Sequence, residues 1–402
     1  MSEIKELKSL FEKGKLTRRE FITRVSALGL TAALSSSLLI DSAHAVSEKL
    51  AKGSGPLKGV AQKPDGSPYK IAHVNWALNN DFPITMDKIM KSLVKRAGGD
   101  FISLDPDNSL EKQISMFEDL AQRGVDAIIF LPVDSKGVVP TIEKLTKKGI
   151  AFFNVDHKAE TDATITFATH DQIDCGRVGA RYLVDWAKKR NKKLTVFEVW
   201  GKMGHEGSER RHQGYQEIFN KNRDVIARVI ESPGTEWMTD RAMQFVMEAL
   251  PAHPEINAIC SHNNMVPGVV EALRVQRRLF PVDHTDHVPY VGIDEFPVAM
   301  EHVRSGYCDG VAVHSPWEEM DAAVKCAFIY TCCGQKDMVP KTVMFDSFLI
   351  TRENADKVRF GAPAVWGDMW KKSPNFDDWP VLNLDAKYKV PIPTVKMKKP
   401  GF

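Results

Sequence analysis

The chain alternates between short apolar runs and longer stretches whose apolar positions recur every three or four residues. Residues 69–97 show the unit: a largely apolar run, 71–74, predicts a buried strand. Asn79-Asn80-Asp81 interrupts it with residues suited to turns and helix N-caps. Met86, Ile89, Met90, Leu93 and Ala97 then fall at helical spacing. The unit recurs, with strands expected at 101–104, 125–131 and 150–155 and helices at 110–122 and 137–148. A second set follows: helices at 176–189, 211–219, 240–250, 268–276 and up to Arg304, with strands at 194–199, 225–230, 258–261, 290–293 and 310–313. A helix over 317–330 and a strand over 341–349 complete the pattern.

Alternation at this spacing predicts an α/β fold with parallel sheets and helices on both faces. Two similar halves predict two Rossmann-like lobes around a cleft. We expect the first lobe at 68–168 plus 315–340, the second at 169–314 plus 341–353, and a hinge of three segments near Ala168, Ser315 and Pro340. The Gly-, Pro-, Lys- and Ser-rich stretch 46–67 reads as a flexible leader. The tail, 354–402, carries Trp366, Trp370 and Trp379 and is expected to pack on the body, because disordered tails rarely hold such aromatics.

Charge changes the picture at the N-terminus. Seven of the 54 Lys and Arg and five of the 52 Asp and Glu lie in the first 45 residues, leaving 47 of each sign in the body. A neutral body without a basic block argues against nucleic acid as a partner. Arg18-Arg19, then Phe21-Ile22, an uncharged stretch over 25–40 and Ala43-His44-Ala45 resemble, in order, a twin-arginine export signal with its cleavage site. Residues 1–45 are therefore expected to be removed and the mature protein to reside in a periplasm. The six cysteines show no CxxC spacing and suggest small buried hydrophobes, a disulfide remaining open. No metal site and no cofactor is predicted; Asp283-His284-Thr285-Asp286-His287 reads as a solvated turn.

Open α/β folds bind ligands beyond the carboxyl ends of their strands, so the strand-terminal groups matter most. They are Asn79 and Asn80, Asp156 and His157, Asn263, Asp294 and His314, joined by Arg211 and by the aromatics Phe82 and Trp237. Carboxylates, amides and a guanidinium can each bond two hydroxyls, and an aromatic face covers the apolar side of a sugar ring. The set suits a neutral polyhydroxylated ligand. Singly, each has an ordinary explanation: Asp294 as a helix cap, Arg211 as half of a surface ion pair.

Over 70–351 the order of motifs resembles the type I periplasmic sugar-binding proteins, the ribose-binding group of ABC-transporter receptors. NNDF, VDAIIFLPVDSKGV, FNVDH, RRHQGY, AHPEINAICSHNN, YVGIDEFPVAM and VAVHSP stand where that family has its characteristic segments. The chain departs from the family at His157 (for Arg), Asn264 (for Asp), His314 (for Gln) and Pro83 (for an aromatic). The resemblance implies a monomeric receptor without enzymatic activity that captures a sugar or polyol by lobe closure and delivers it to a membrane permease. A sugar-sensing role in chemotaxis or signalling is the alternative within the same fold. A periplasmic sugar oxidoreductase would need a dinucleotide fingerprint after a strand, and none is found. A sugar-responsive repressor would need an N-terminal helix-turn-helix where the export signal stands.

Overall fold

The computed structural model describes residues 63, 65–79, 81–263, 265–331, 336, 339–355 and 389–391. The expected export signal (residues 1–45), Asn80, Asn264, Cys332, Cys333 and the three tail tryptophans lie outside these. The first half runs β1 (Lys70–Val74), α1 (Asp81–Arg96), β2 (Asp100–Leu104), α2 (Leu110–Gln122), β3 (Ala127–Phe130), α3 (Val139–Thr146), β4 (Ala151–Val155) and β5 (Thr166–His170). The second runs α4 (Gln172–Arg190), β6 (Leu194–Val199), α5 (Glu206–Phe219), β7 (Ile226–Glu231), α6 (Thr239–Ala252), β8 (Ala258–Ser261), α7 (Val266–Val275), β9 (Tyr290–Ile293), α8 (Pro297–Ser305) and β10 (Gly310–Ala312). Then come α9 (Pro316–Thr331), β11 (Thr342–Asp346), β12 (Leu349–Thr351) and β13 (Lys389–Pro391).

These strands form two sheets, ordered β13-β11-β5-β4-β3-β1-β2 and β12-β10-β9-β8-β6-β7. All neighbours are parallel except β12, which pairs antiparallel with β10. Each sheet is buried on both faces, and side-chain alternation divides its residues between two layers of helices. In the first sheet Ile71, Ile129 and Phe153 pack toward Met86 and Met90 of α1 and Phe328 of α9, while Ala72, Ile128 and Phe152 pack toward Phe117 of α2 and Ile142 of α3. In the second, Val196, Cys260 and Val291 meet Leu183 of α4 and Tyr215 of α5, while Phe197 and Ile259 meet Val246 of α6 and Val269 of α7. The helices start where local chemistry allows. Ser109 caps α2, Asp171 caps α4 through Ile173 N and Asp174 N, and prolines open α3, α7 and α8.

The third crossing between the sheets is not where the sequence placed it. The run 341–349 is two strands: β11 pairs with β5 in the first sheet and β12 with β10 in the second. The chain therefore changes sheets at Ser347–Phe348 rather than near Pro340. The two earlier crossings follow β5 and β10. All three lie side by side: Asp171 N donates to Phe345 O (2.9 Å), Val313 N to Phe348 O (3.0 Å) and Ser347 Oγ to Val313 O (2.9 Å). β5 has no counterpart among the expected strands. Its polar residues find partners far along the chain, Thr166 Oγ1 donating to Pro340 O and Thr169 Oγ1 to Asp156 O. Helix α5 begins at Glu206, five residues before the expected start, with His205 Nδ1 accepting from Gly207 N.

The four described cysteines, Cys175, Cys260, Cys308 and Cys326, are buried thiols. In the 283–287 turn Asp283, His284 and Asp286 are exposed as expected, but His287 is not: it is buried and bonded to Asp309 Oδ2 at 2.7 Å. Of the tail, residues 389–391 add an edge strand beside β11. Among the described residues no helix is long and apolar enough to cross a membrane.

Candidate ligand-binding site

Two aspartates organise the site. Asp156 follows β4 and Asp294 follows β9, the fourth strand of each half. Both adopt the left-handed backbone region, with φ of 61° and 71°. Asp tolerates this region better than most residues because its short polar side chain bonds locally. In each, the backbone N–H is still tied to the neighbouring strand, Asp156 N to Ala168 O (3.0 Å) and Asp294 N to Ala312 O (3.1 Å). The turn thus lifts a carboxylate out of each sheet toward the other lobe.

The carboxylates meet on one imidazole. His314, two residues beyond β10, places Nδ1 2.8 Å from Asp294 Oδ1 and Nε2 3.2 Å from Asp156 Oδ1. Glu319 Oε1, in the first turn of α9, lies 3.5 Å from the same Nε2. Burial and the nearby Arg211 oppose a charge on this ring, but the three carboxylates outweigh them and raise its pKa well above the usual value. Burial would raise Asp156 in turn; His157, His314 and Arg211 outweigh that and hold it below the usual carboxylate range. Phe82, in the first turn of α1, stacks on the His314 ring at 4.7 Å and 6°. The turn that carries Phe82 is pinned by buried Asn75, whose Nδ2 donates to Pro83 O at 3.1 Å.

Arg211 enters from α5 and is only 3% exposed. Its Nε donates to Gln172 Oε1 (2.8 Å), its Nη1 to His262 O, and its Nη2 lies 3.1 Å from His314 Nδ1. Its guanidinium stands over the Trp237 ring at 5.8 Å. The sequence permits this because α4 and α5 touch backbone to backbone: a Cβ at Gly176 would sit 2.1 Å from Arg211 O, and one at Gly214 2.0 Å from Ile173 O. His157 and His205 meet edge to face across the cleft at 4.1 Å, and His205 meets Trp237 at 5.1 Å. Burial keeps His157 below its usual pKa, and burial together with His157 pushes His205 down to about 2. Both rings are neutral at pH 7.

The structure thus brings Phe82, Asp156, His157, Arg211, Trp237, Asp294 and His314 into one cleft. Asn263 adjoins it, one residue past the His262 carbonyl that Arg211 holds. Asn79 is exposed on the β1–α1 turn. Neither ordinary explanation survives. Helix α8 is capped at Phe296 without a side-chain bond, so Asp294 is not its cap, and buried Arg211 makes no surface ion pair. Among the described residues, His157 Nδ1, Asn263 Oδ1 and Ser208 Oγ are buried polar atoms without a hydrogen-bond partner. Such atoms cost about 1–3 kcal/mol each unless a ligand satisfies them. Gln172, His205, Ser208 and Glu319 are site residues that strand-end reasoning did not reach.

Ligand atoms of Asp156, His314 and Glu319 lie within 4.8 Å of one another, a spacing a divalent cation could use. The carboxylates that raise His314 favour the charged ring over a metal-bound neutral one, and the Arg211 guanidinium beside it repels a second cation. The set acts as an internal ion pair. What it can do is hold hydroxyls: acceptors and donors come from both lobes, with an aromatic ring at the side.

Comparison with known proteins agrees with this geometry. The sequence profile of the periplasmic binding protein domain family matches residues 71–336. The D-allose-binding periplasmic protein of Escherichia coli is 26% identical over 313 residues, 74% of this chain and 97% of that protein. The xylitol-binding protein of Mycolicibacterium smegmatis is 26% identical over 222 residues, 55% of this chain and 60% of that protein. A crystal structure of an ABC-transporter periplasmic solute-binding protein from Actinobacillus succinogenes with bound D-allose shares the fold. Its TM-score is 0.64 at 24% identity, covering 72% of this chain and 99% of that one. These relatives are binding proteins, not enzymes, and this chain belongs to the type I periplasmic binding protein family.

Proposed function

We propose that the protein is the substrate-binding component of an ABC importer that closes its two lobes on a neutral monosaccharide or sugar alcohol and presents it to a membrane permease. One observation carries the reading: equivalent aspartates from the two lobes, Asp156 and Asp294, converge on one buried point beside Arg211, with the Phe82 ring along its side. Two carboxylates, one guanidinium and one charged imidazole roughly balance, so a ligand need bring no charge. The names of the relatives, D-allose-, ribose- and xylitol-binding, support the same ligand class. Three side-by-side crossings permit bending and resist shear.

Thermal denaturation of the mature protein with D-allose, D-ribose, xylitol, myo-inositol and glycerol tests this. A ligand at a hundred times its Kd stabilises by about 2.7 kcal/mol, a rise of several degrees. The same ligand should reduce the radius of gyration in solution scattering. A flat response to the whole panel would remove the reading.

Export by the twin-arginine route rests on Arg18-Arg19 and the uncharged stretch behind them. Arg18→Lys with Arg19→Lys should leave precursor in the cytosol. Intact mass of periplasmic material that still contained residues 1–45 would refute it.

A further inference from the structure

Behind the cleft lies a buried cluster that the ligand site does not itself use. Glu198, near the end of β6, is fully buried. Its Oε1 accepts from His212 Nδ1 at 2.9 Å and from His262 Nε2 at 2.8 Å, and its Oε2 from Gln216 Nε2 at 3.2 Å. The Trp200 ring packs on both imidazoles, at 4.5 and 4.8 Å. Each histidine adjoins a site residue. His212 follows Arg211 on α5. His262 precedes Asn263, and its carbonyl accepts from Arg211 Nη1. One carboxylate therefore ties the helix that carries Arg211 to the strand end that carries Asn263.

We propose that Glu198 is a positioning residue of the ligand site, fixing through His212 and His262 where Arg211 and Asn263 stand. The proposal rests on the ligand-site reading above. Burial opposes the charge on Glu198, but the bonds from the two histidines outweigh it and lower its pKa. Burial holds His262 below its usual pKa, so the neutral ring spends its single N–H on Glu198. Without that acceptor the His262 N–H is buried unsatisfied, and regaining a partner requires the residue to shift, with the carbonyl that accepts from Arg211.

A merely structural role for a buried carboxylate has an internal standard in the same lobe. Asp309 is 3% exposed and holds Tyr182 Oη (2.8 Å), His287 Nε2 (2.7 Å) and Tyr290 N (2.7 Å). It has the same kind of partners, but lies at the amino-terminal edge of β9 and β10, away from the cleft. Calorimetric titration with D-allose, D-ribose and xylitol, beside melting curves, separates the two. Glu198→Ala should bind at least about tenfold more weakly. Glu198→Gln, whose Oε1 still accepts from both rings, should return to within about threefold of wild type. Asp309→Asn should lower the melting temperature and leave affinity unchanged. Folded Glu198→Ala with wild-type affinity overturns the proposal, as does Asp309→Asn weakening binding as much as Glu198→Ala. If wild type binds none of the three sugars, the functional reading fails instead. The Arg211 Nε–H resonance then decides: it should lose its exchange protection in Glu198→Ala and keep it in Asp309→Asn, and protection retained in both would overturn the proposal.

Discussion

Replacing Arg211 by Ala should abolish measurable sugar binding, a loss of at least about a hundredfold, while lowering stability by roughly 3–5 kcal/mol. The two losses have one origin. Arg211 is buried, and each nitrogen of its guanidinium faces a named neighbour: Gln172 Oε1, the His262 carbonyl and the His314 ring. Truncation leaves the carbonyl and the amide oxygen buried without a donor. It also removes the fixed positive charge that helps keep Asp156 ionised. A hydrogen bond to a charged group contributes about 1.5–3 kcal/mol, so losing one contact to the ligand accounts for about ten- to a hundredfold. Disorder of Asp156 and His314 adds to it. Arg211→Lys should recover the charge and little of the affinity, because a single ammonium cannot match the planar fork that reaches Gln172 Oε1 and the His262 carbonyl together. Circular dichroism establishes folding and calorimetry measures affinity. A folded Arg211→Ala protein that bound as tightly as wild type would place the ligand elsewhere.

The parts of the fold that were legible in the sequence are those whose signal is local. β3 and β4 are buried on both faces and appear as the apolar runs AIIF and AFFNV, the second broken only by Asn154. The helices on them show apolar positions at helical spacing. β5 was illegible because TFATH has three polar residues, and all are buried. What makes it a strand is distant: Lys341 O receives Phe167 N, and Pro340 O receives Thr166 Oγ1. The break between β11 and β12 was hidden for a related reason. Nothing in the run from Thr342 to Leu349 marks Ser347 as a crossing, and its role comes from a bond to Val313 more than thirty residues earlier. The start of α5 was lost because Gly207 and Ser208 are poor helix formers whose burial against the cleft overrides propensity.

The site divides in the same way. Asp156, Asp294 and His314 could be found because topology alone sends strand ends to a cleft. Gln172 could not, since β5, the strand that ends two residues before it, was not recognised. Glu319 had a visible signal that strand-end reasoning does not use, an adjacent pair of glutamates at the start of a helix that is buried along most of its length. His287 misled by sitting in a turn of metal-ligand residue types, yet only its neighbours are solvated. Glu198 reads as an ordinary polar residue in LTVFEV; its importance lies in two histidines that the chain delivers 14 and 64 residues later.

That glutamate pair supports a prediction about pH. Glu318 lies in the first turn of α9, and its Oε2 has no hydrogen-bond partner among the described residues. Burial, reinforced by the charges of Glu295 and Asp321, pushes its pKa up to about 8. Burial and Asp156 likewise push Glu319 up to about 7. A carboxyl with a raised folded-state pKa binds more protons in the native than in the unfolded chain between the two values. Stability therefore falls as pH climbs from about 4.5, the unfolded value, to the folded one. His314 acts in the same direction. Its raised pKa gives stability that is fully present below the unfolded value of about 6.5 and is lost as pH rises through the folded value. These groups should thus weaken the wild-type protein as pH rises from 7 toward 9. Glu318→Gln isolates one contribution, since the amide keeps the shape and cannot ionise. The upper bound for Glu318 alone is about 5 kcal/mol above pH 8. Even about 2 kcal/mol would move the melting temperature by roughly 2–3 °C in a chain of this size. Glu318→Gln should therefore melt at least about 2 °C above wild type at pH 8.5, with the gap closing toward pH 5. Parallel melting curves for the two proteins across pH 5–9 would show instead that Glu318 is ionised throughout, with its charge met by groups other than those named here.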